Sequence, residues 1–155
     1  MNESAFHHRF SIFLATGFYS GYCPLAPGTA GTAVGILFFW CFSHLSPFLY
    51  LLTLGAFVFL AAWLAGEAEK ILQTKDSPHI VIDEIAGFLI TMTSIPCTWV
   101  TVGAGFILFR FFDILKPFPA RWIDKNASGG WGIVLDDVVA GAYAAIVLHG
   151  VLLWR

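Results

Sequence analysis

Two adjacent acidic pairs stand out in a chain with few charges. Asp83-Glu84 sits in Ile82-Asp83-Glu84-Ile85-Ala86-Gly87, and Asp136-Asp137 in Leu135-Asp136-Asp137-Val138-Val139-Ala140-Gly141. One acid near a helix N-terminus is explained by the helix dipole. An adjacent pair among Ile, Val and Leu is not. Paired carboxylates suit a hard cation such as Mg²⁺, whose shell water and phosphate oxygens complete. Two such pairs on one face repel unless a cation lies between them. Asp83, Glu84, Asp136 and Asp137 are therefore the candidate metal ligands. The small Ala-Gly step after each pair would let a helix or ligand approach the backbone closely.

A polar stripe follows in Arg110-Phe111-Phe112-Asp113-Ile114-Leu115-Lys116. Arg110, Asp113 and Lys116 stand at successive i,i+3 positions, so neighbours share a helix face. Helical geometry puts Arg110 and Lys116 about 120° apart, able to flank one anion from two directions. Pro27-Gly28-Thr29-Ala30-Gly31-Thr32 reads as a Gly-rich turn before a helix, and such turns offer N–H groups to anions. Gly28 and Thr29 join Arg110 and Lys116 as candidate phosphate-binding residues. Cation ligands beside anion ligands suit a phosphate.

The elements that must position these groups are apolar. Of the 155 residues 58% are hydrophobic and 12% charged, against about 45–50% and about 25% in soluble domains. The mean hydropathy is +0.79. No Lys, Arg, Asp or Glu occurs in 10–66, 85–109 or 138–154, and charge-free runs of this kind read as membrane spans. A net charge of −2 gives no basic field for nucleic acid. The three cysteines, Cys23, Cys41 and Cys97, suggest neither a disulfide framework nor a zinc site. No cleavable leader is expected, because Thr16, Gly17 and Ser20 break the first apolar stretch.

The expected architecture is all-α and single-domain over 1–155, an integral membrane protein with short or broken spans. Helices are predicted over 10–22, 33–45, 48–66 (continuing to about Gln73), 83–95, 98–115 and 133–153, with 23–32 and 74–82 as loops and 118–132 as a loop or short helix. Lys70, Lys75, Lys116, Arg121 and Lys125 all lie in 67–84 and 110–137, which the positive-inside rule places in the cytoplasm. Residues 85–109 crossing once would span about 38 Å and separate those segments. A break at Pro96 instead allows a hairpin, shallow or shielded by other helices. All polar regions then meet on one face, with Arg155 across the membrane. His44, His79 and His149 read as hydrogen-bonded structural residues.

Several phosphatase signatures are missing: Asp-x-Asp-x-Thr, Arg-His-Gly and Lys-x6-Arg-Pro. So is the Asp-rich pattern of CDP-alcohol phosphotransferases. An ordered set of pieces is present instead: Pro27-Gly28-Thr29 with Gly31; Ile82-Asp83-Glu84 with Gly87; Phe109-Arg110-Phe111-Phe112-Asp113 with Lys116-Pro117 and Pro119; Trp122, Asp124 and Asn126; Gly129-Gly130 with Gly132; and Asp136-Asp137 with Ala140-Gly141. In this order, over about residues 14–150, the chain resembles the phosphatidylglycerophosphatase A family of bacterial inner-membrane lipid phosphatases. The resemblance implies Mg²⁺-dependent removal of the terminal phosphate from phosphatidylglycerophosphate, giving phosphatidylglycerol, and the positive-inside placement above expects the site to face the cytoplasm.

On that reading Asp83, Glu84, Asp113, Asp136 and Asp137 supply metal ligands and a general base. Arg121, Asp124 and Asn126 are candidates for supporting or headgroup contacts. Attack by an activated water is favoured over an aspartyl-phosphate intermediate. A phosphatase for another lipid or prenyl phosphate is the alternative enzyme. A small ion or proton carrier is the alternative of another class.

Overall fold

The computed structural model describes residues 3–154. Among them are seven α-helices and no strand: α1 (Glu3–Ala15), α2 (Pro27–Phe42), α3 (Pro47–Leu72), α4 (Ile82–Thr91), α5 (Trp99–Leu115), α6 (Ala120–Asn126) and α7 (Gly129–Leu153), with one 3-10 turn at Ser20–Tyr22. The all-α expectation holds. Helices α3 and α7, of 26 and 25 residues, are long and apolar enough to cross a membrane, and α2 is a shorter apolar helix. Arg155 lies outside the described residues, so its expected place across the membrane is not addressed.

Several helix ends shift from their expected places: α2 stops at Phe42 rather than 45, α4 at Thr91 rather than 95, and α7 starts at Gly129 rather than 133. Two further shifts have identifiable reasons. The first helix occupies 3–15 rather than 10–22, because Gly17 adopts φ +54 and closes it. The Gly17 N–H donates to Leu14 O (3.0 Å) and the Phe18 N–H to Phe13 O (2.9 Å), the pairing that ends a helix in a left-handed cap. The segment 23–32 is only partly a loop. Helix α2 starts at Pro27, a residue preorganised for the first turn, so Gly28, Thr29, Gly31 and Thr32 are helical. Gly28, Gly31 and Gly35 are buried on one face of α2. A Cβ at Gly31 would press on Val81 and one at Gly35 on Phe88, so this face is cut back to let α4 approach.

The hairpin at Pro96 is present. Helix α4 ends at Thr91, and α5 starts at Trp99 after a capping box between Thr98 and Thr101. With ten residues α4 is about 15 Å long, half a hydrocarbon core. It packs on α2, α3, α5 and α7, and Ile85, Ala86, Phe88 and Leu89 have 2% exposure or less. This short arm of the hairpin is thus covered by other helices, as expected.

Helices α4 and α7 cross where both Ala-Gly steps meet. A Cβ on Gly141 would collide with Gly87 O, and one on Gly87 with Asp137 O and the Phe109 ring of α5. Thr91 seals the crossing, its hydroxyl donating to Gly87 O (3.0 Å) and Gly141 O (3.4 Å). Asp83 precedes Gly87 by four residues, and Asp137 precedes Gly141 by four. Each acid is thus one turn from the crossing on the contacting face. The outer surface is apolar, with Leu37, Trp40, Phe59, Ile107, Phe111 and Ile146 all exposed. The three histidines bond to backbone carbonyls as expected: His44 to Trp40 (2.8 Å), His79 to Gly21 (3.0 Å) and His149 to Ala145 (2.8 Å).

Candidate active site

Side chains from α4, α5 and α7, with the start of α2 and the loop 73–81, surround an open cavity of about 400 Å³. Its wall includes Gly28, Asp83, Glu84, Arg110, Asp113 and Lys116, together with Asp136 and Asp137. The three polar segments anticipated from the sequence therefore do converge.

The acids divide into two groups. Asp83, Glu84 and Asp137 each offer a carboxylate oxygen within 4.8 Å of the others. The next residue of α7, Asp136, turns to Lys116 instead, with Oδ2 accepting from Nζ at 2.7 Å. Adjacent helical residues point about 100° apart, and with Asp137 on the α4 side Asp136 must face elsewhere. Asp124 of α6 accepts from the same ammonium at 2.6 Å. The expected Asp113–Lys116 neighbour relation does not form, because α5 stops at Leu115 and Lys116 takes a left-handed φ of 44°. Burial lowers the Lys116 pKa, but the hydrogen bonds to Asp124 and Asp136 outweigh it and hold the ammonium above its ordinary value.

Arg110 is fixed between acids. Its Nη1 pairs with Asp113, one turn away, and lies 3.8 Å from Glu84 Oε1. Gly28 sits against this pair, and a Cβ there would run into Glu84 Oε1 and the Arg110 guanidinium. In the first turn of α2, the Gly28 and Thr29 N–H groups precede the first intrahelical bond, which Ala30 N–H makes to Ala26 O (3.0 Å). They are the free donors of a helix N-terminus at the cavity edge.

Thr29 is not among the residues that line the cavity, so what it offers at the cavity edge is its backbone N–H. Arg121 is exposed, and Asn126 donates to Trp122 O (2.7 Å) within its own helix. Neither reaches the cavity, whereas Asp124 acts on it through Lys116. Asp76 and Ser77 line the cavity and were not anticipated. Their only sequence signal is a polar loop directly before the Asp83-Glu84 helix.

A hard divalent cation fits this donor set. The three clustered groups are all oxygen donors. Asp83 Oδ1 and Glu84 Oε2 are buried with no hydrogen-bond partner, as is Arg110 Nε. Unpartnered buried carboxylate oxygens are costly and require compensation. Six carboxylates and two cationic side chains surround the cavity, so a phosphate could enter only with additional positive charge.

The sequence model of phosphatidylglycerophosphatase A matches residues 13–152. The chain belongs to the phosphatidylglycerophosphatase A family. An Escherichia coli protein named phosphatidylglycerophosphatase A is 39% identical over 137 residues, covering 88% of this chain and 80% of that one. A Haemophilus influenzae protein of the same name is 39% identical over 146 residues, covering 91% and 88%. A Bacteroides thetaiotaomicron protein provisionally named phosphatidylinositol-3-phosphatase is 36% identical over 146 residues, covering 88% and 90%. No solved structure matches the chain. As a member of the phosphatidylglycerophosphatase A family it is a phosphatase, which sets aside the carrier alternative, and the family supports phosphatidylglycerophosphate as the molecule dephosphorylated.

Proposed function

We propose that the protein is an integral membrane phosphomonoesterase that hydrolyses phosphatidylglycerophosphate to phosphatidylglycerol at the cytoplasmic face of a bacterial inner membrane, with Mg²⁺ held by Asp83, Glu84 and Asp137. The observation that carries this reading is the excess of carboxylates around the cavity, two of them with unpartnered buried oxygens. When bound there, Mg²⁺ supplies charge neutralisation for the phosphate and lowers the pKa of a nearby water. Two long apolar helices and an apolar outer surface support the membrane placement.

The chain's own groups divide the remaining work. Arg110 keeps Nε free of protein partners and Nη1 braced by Asp113 and Glu84, so its fork is set to donate to phosphate oxygens. Lys116, braced by Asp124 and Asp136, stays a cation and acts as a fixed charge rather than a proton donor. The Gly28 and Thr29 N–H groups add donors from the α2 N-terminus. A water oxygen attacks phosphorus opposite the glycerol oxygen, the P–O bond to glycerol breaks, and a carboxylate of the Asp83–Glu84–Asp137 group accepts the water proton. The departing oxygen takes up a proton, leaving phosphatidylglycerol and inorganic phosphate.

The name of the Bacteroides relative supports a second reading, in which the terminal phosphate is carried by another phospholipid. The deciding experiment measures phosphate release by purified protein from phosphatidylglycerophosphate, phosphatidylinositol 3-phosphate and glycerol 3-phosphate, with Mg²⁺ and with EDTA. Phosphatidylglycerophosphate is expected to be the best substrate, and EDTA to abolish turnover. Full activity in metal-free buffer overturns the metal assignment, and preference for the inositol lipid overturns the substrate.

A further inference from the structure

The same two helices wall two very different cavities. At one end, Gly28 of α2 and Arg110 of α5 border the polar cavity. At the other, Ile36, Leu37 and Trp40 of α2 face Trp99 and Val102 of α5 across an apolar cavity of about 480 Å³. The polar cavity must hold a phosphate. The apolar one has no ionisable side chain in its wall except the thiol of Cys97.

Their separation can be read from helix rise. Arg110 to Val102 is eight residues and Gly28 to Leu37 is nine, so the apolar cavity begins about 12–14 Å along the helices from the phosphate site. Trp40 and Trp99 lie about 17–18 Å away on the same measure. One leaflet of hydrocarbon is about 15 Å deep. From between the two cavities to the rim of the polar one, α5 presents an exposed apolar stripe of Ile107, Phe111 and Ile114, at i, i+4 and i+7. Ile114 also lines the polar cavity, so that cavity opens onto the lipid-facing surface. The chain entering α2 matches it, with Leu25 94% exposed beside the cavity residues Ala26 and Pro27.

We propose that the seam between α2 and α5 is an acyl-chain site, which takes one fatty chain of the substrate over the Ile114 lip and receives its end in the cavity between Leu37, Trp40, Trp99 and Val102. This rests on the reading that the substrate is a membrane phospholipid with a terminal phosphate. The occupant follows from the layout: an anion site and an apolar cavity one leaflet apart, joined by an apolar stripe, match a molecule with a phosphate at one end and a hydrocarbon chain at the other. The chain end contributes binding far from the reacting atoms, which serves to position the phosphate.

The test uses full-length protein in detergent-lipid mixed micelles and a series of phosphatidylglycerophosphates from dihexanoyl to dipalmitoyl. Leu37→Trp fills the apolar cavity without touching the polar one. Expressed relative to wild type at each chain length, which cancels partitioning, kcat/KM should fall about tenfold or more for dipalmitoyl and stay within about twofold for dihexanoyl. Retained dihexanoyl activity shows that the variant is folded. Should Leu37→Trp not fold, Trp99→Ala, at a position 92% exposed, removes part of the wall and should likewise penalise only the long chains. A loss equal at all chain lengths, or none at any, overturns the acyl-chain site while leaving the phosphatase reading intact. Wild type inactive on every lipid of the series would overturn that reading itself.

Discussion

Asp83, Glu84 and Asp137 were nominated by scarcity: in a chain with 10 acids, carboxylates bounded by Ile and Val need a reason. Neutralising any of the three (Asp83→Asn, Glu84→Gln, Asp137→Asn) should lower kcat by about 10²-fold or more while the protein still folds. Asp76→Asn, on the exposed rim, should be milder. Phosphate-release kinetics with thermal unfolding of each variant is the check, and full turnover in all three would mean that the cluster caps helices and nothing more. The roles of Asp136 and Asp137 could not be separated in the sequence, because two neighbours in a helix differ only in which way packing turns them. The segment 23–32 was only partly legible as a loop for a related reason. Gly-Thr repeats suit a phosphate loop and a close-packed helix start equally well, and only the approach of α4 decides.

Arg110→Lys should also impair turnover despite conserving charge. The guanidinium is held by Asp113 and lies beside Glu84 through one nitrogen, while its Nε has no protein partner. An ammonium cannot hold both acids and grip two phosphate oxygens. Comparing kcat/KM of Arg110→Lys and wild type decides it, and equal values would remove Arg110 from the phosphate site.

At the scale of elements, the crossing of α4 and α7 sets the spacing between the acids. Gly141→Ala should cost about 1–3 kcal/mol, because the new methyl meets the Gly87 carbonyl, a backbone group with no rotamer to yield. It should lower activity as well, since the displaced crossing moves Asp137 from Asp83. The thermal midpoint in detergent and phosphate release should fall together, and an unchanged midpoint would show that the helices have slack there. Most elements were legible in the sequence: α3 from its unbroken apolar run, the hairpin from Pro96, α5 from its polar stripe. Two of the boundaries that moved were set by signals that need three dimensions, the left-handed Gly17 cap and the α2 glycine face.

For the whole molecule, the polar segments 67–84 and 110–137 should face the cytoplasm together. Single cysteines at Lys75 and Lys125, both exposed, in an otherwise cysteine-free chain should react with a membrane-impermeant maleimide in inverted inner-membrane vesicles and not in intact spheroplasts. Labelling of one position from each side would break the hairpin topology.

The order in which the chain is made also bears on the site. The cavity draws on α2, α4 and α5, but Asp136 and Asp137 belong to α7, which follows them all in the chain. Until α7 packs in place, α4 lacks one of its covering neighbours and Asp83-Glu84 lacks its third carboxylate. The helices α1 to α6 are therefore all made before the three acids can meet. The three acids become one group only when α7 brings Gly141 under Thr91 and against Gly87.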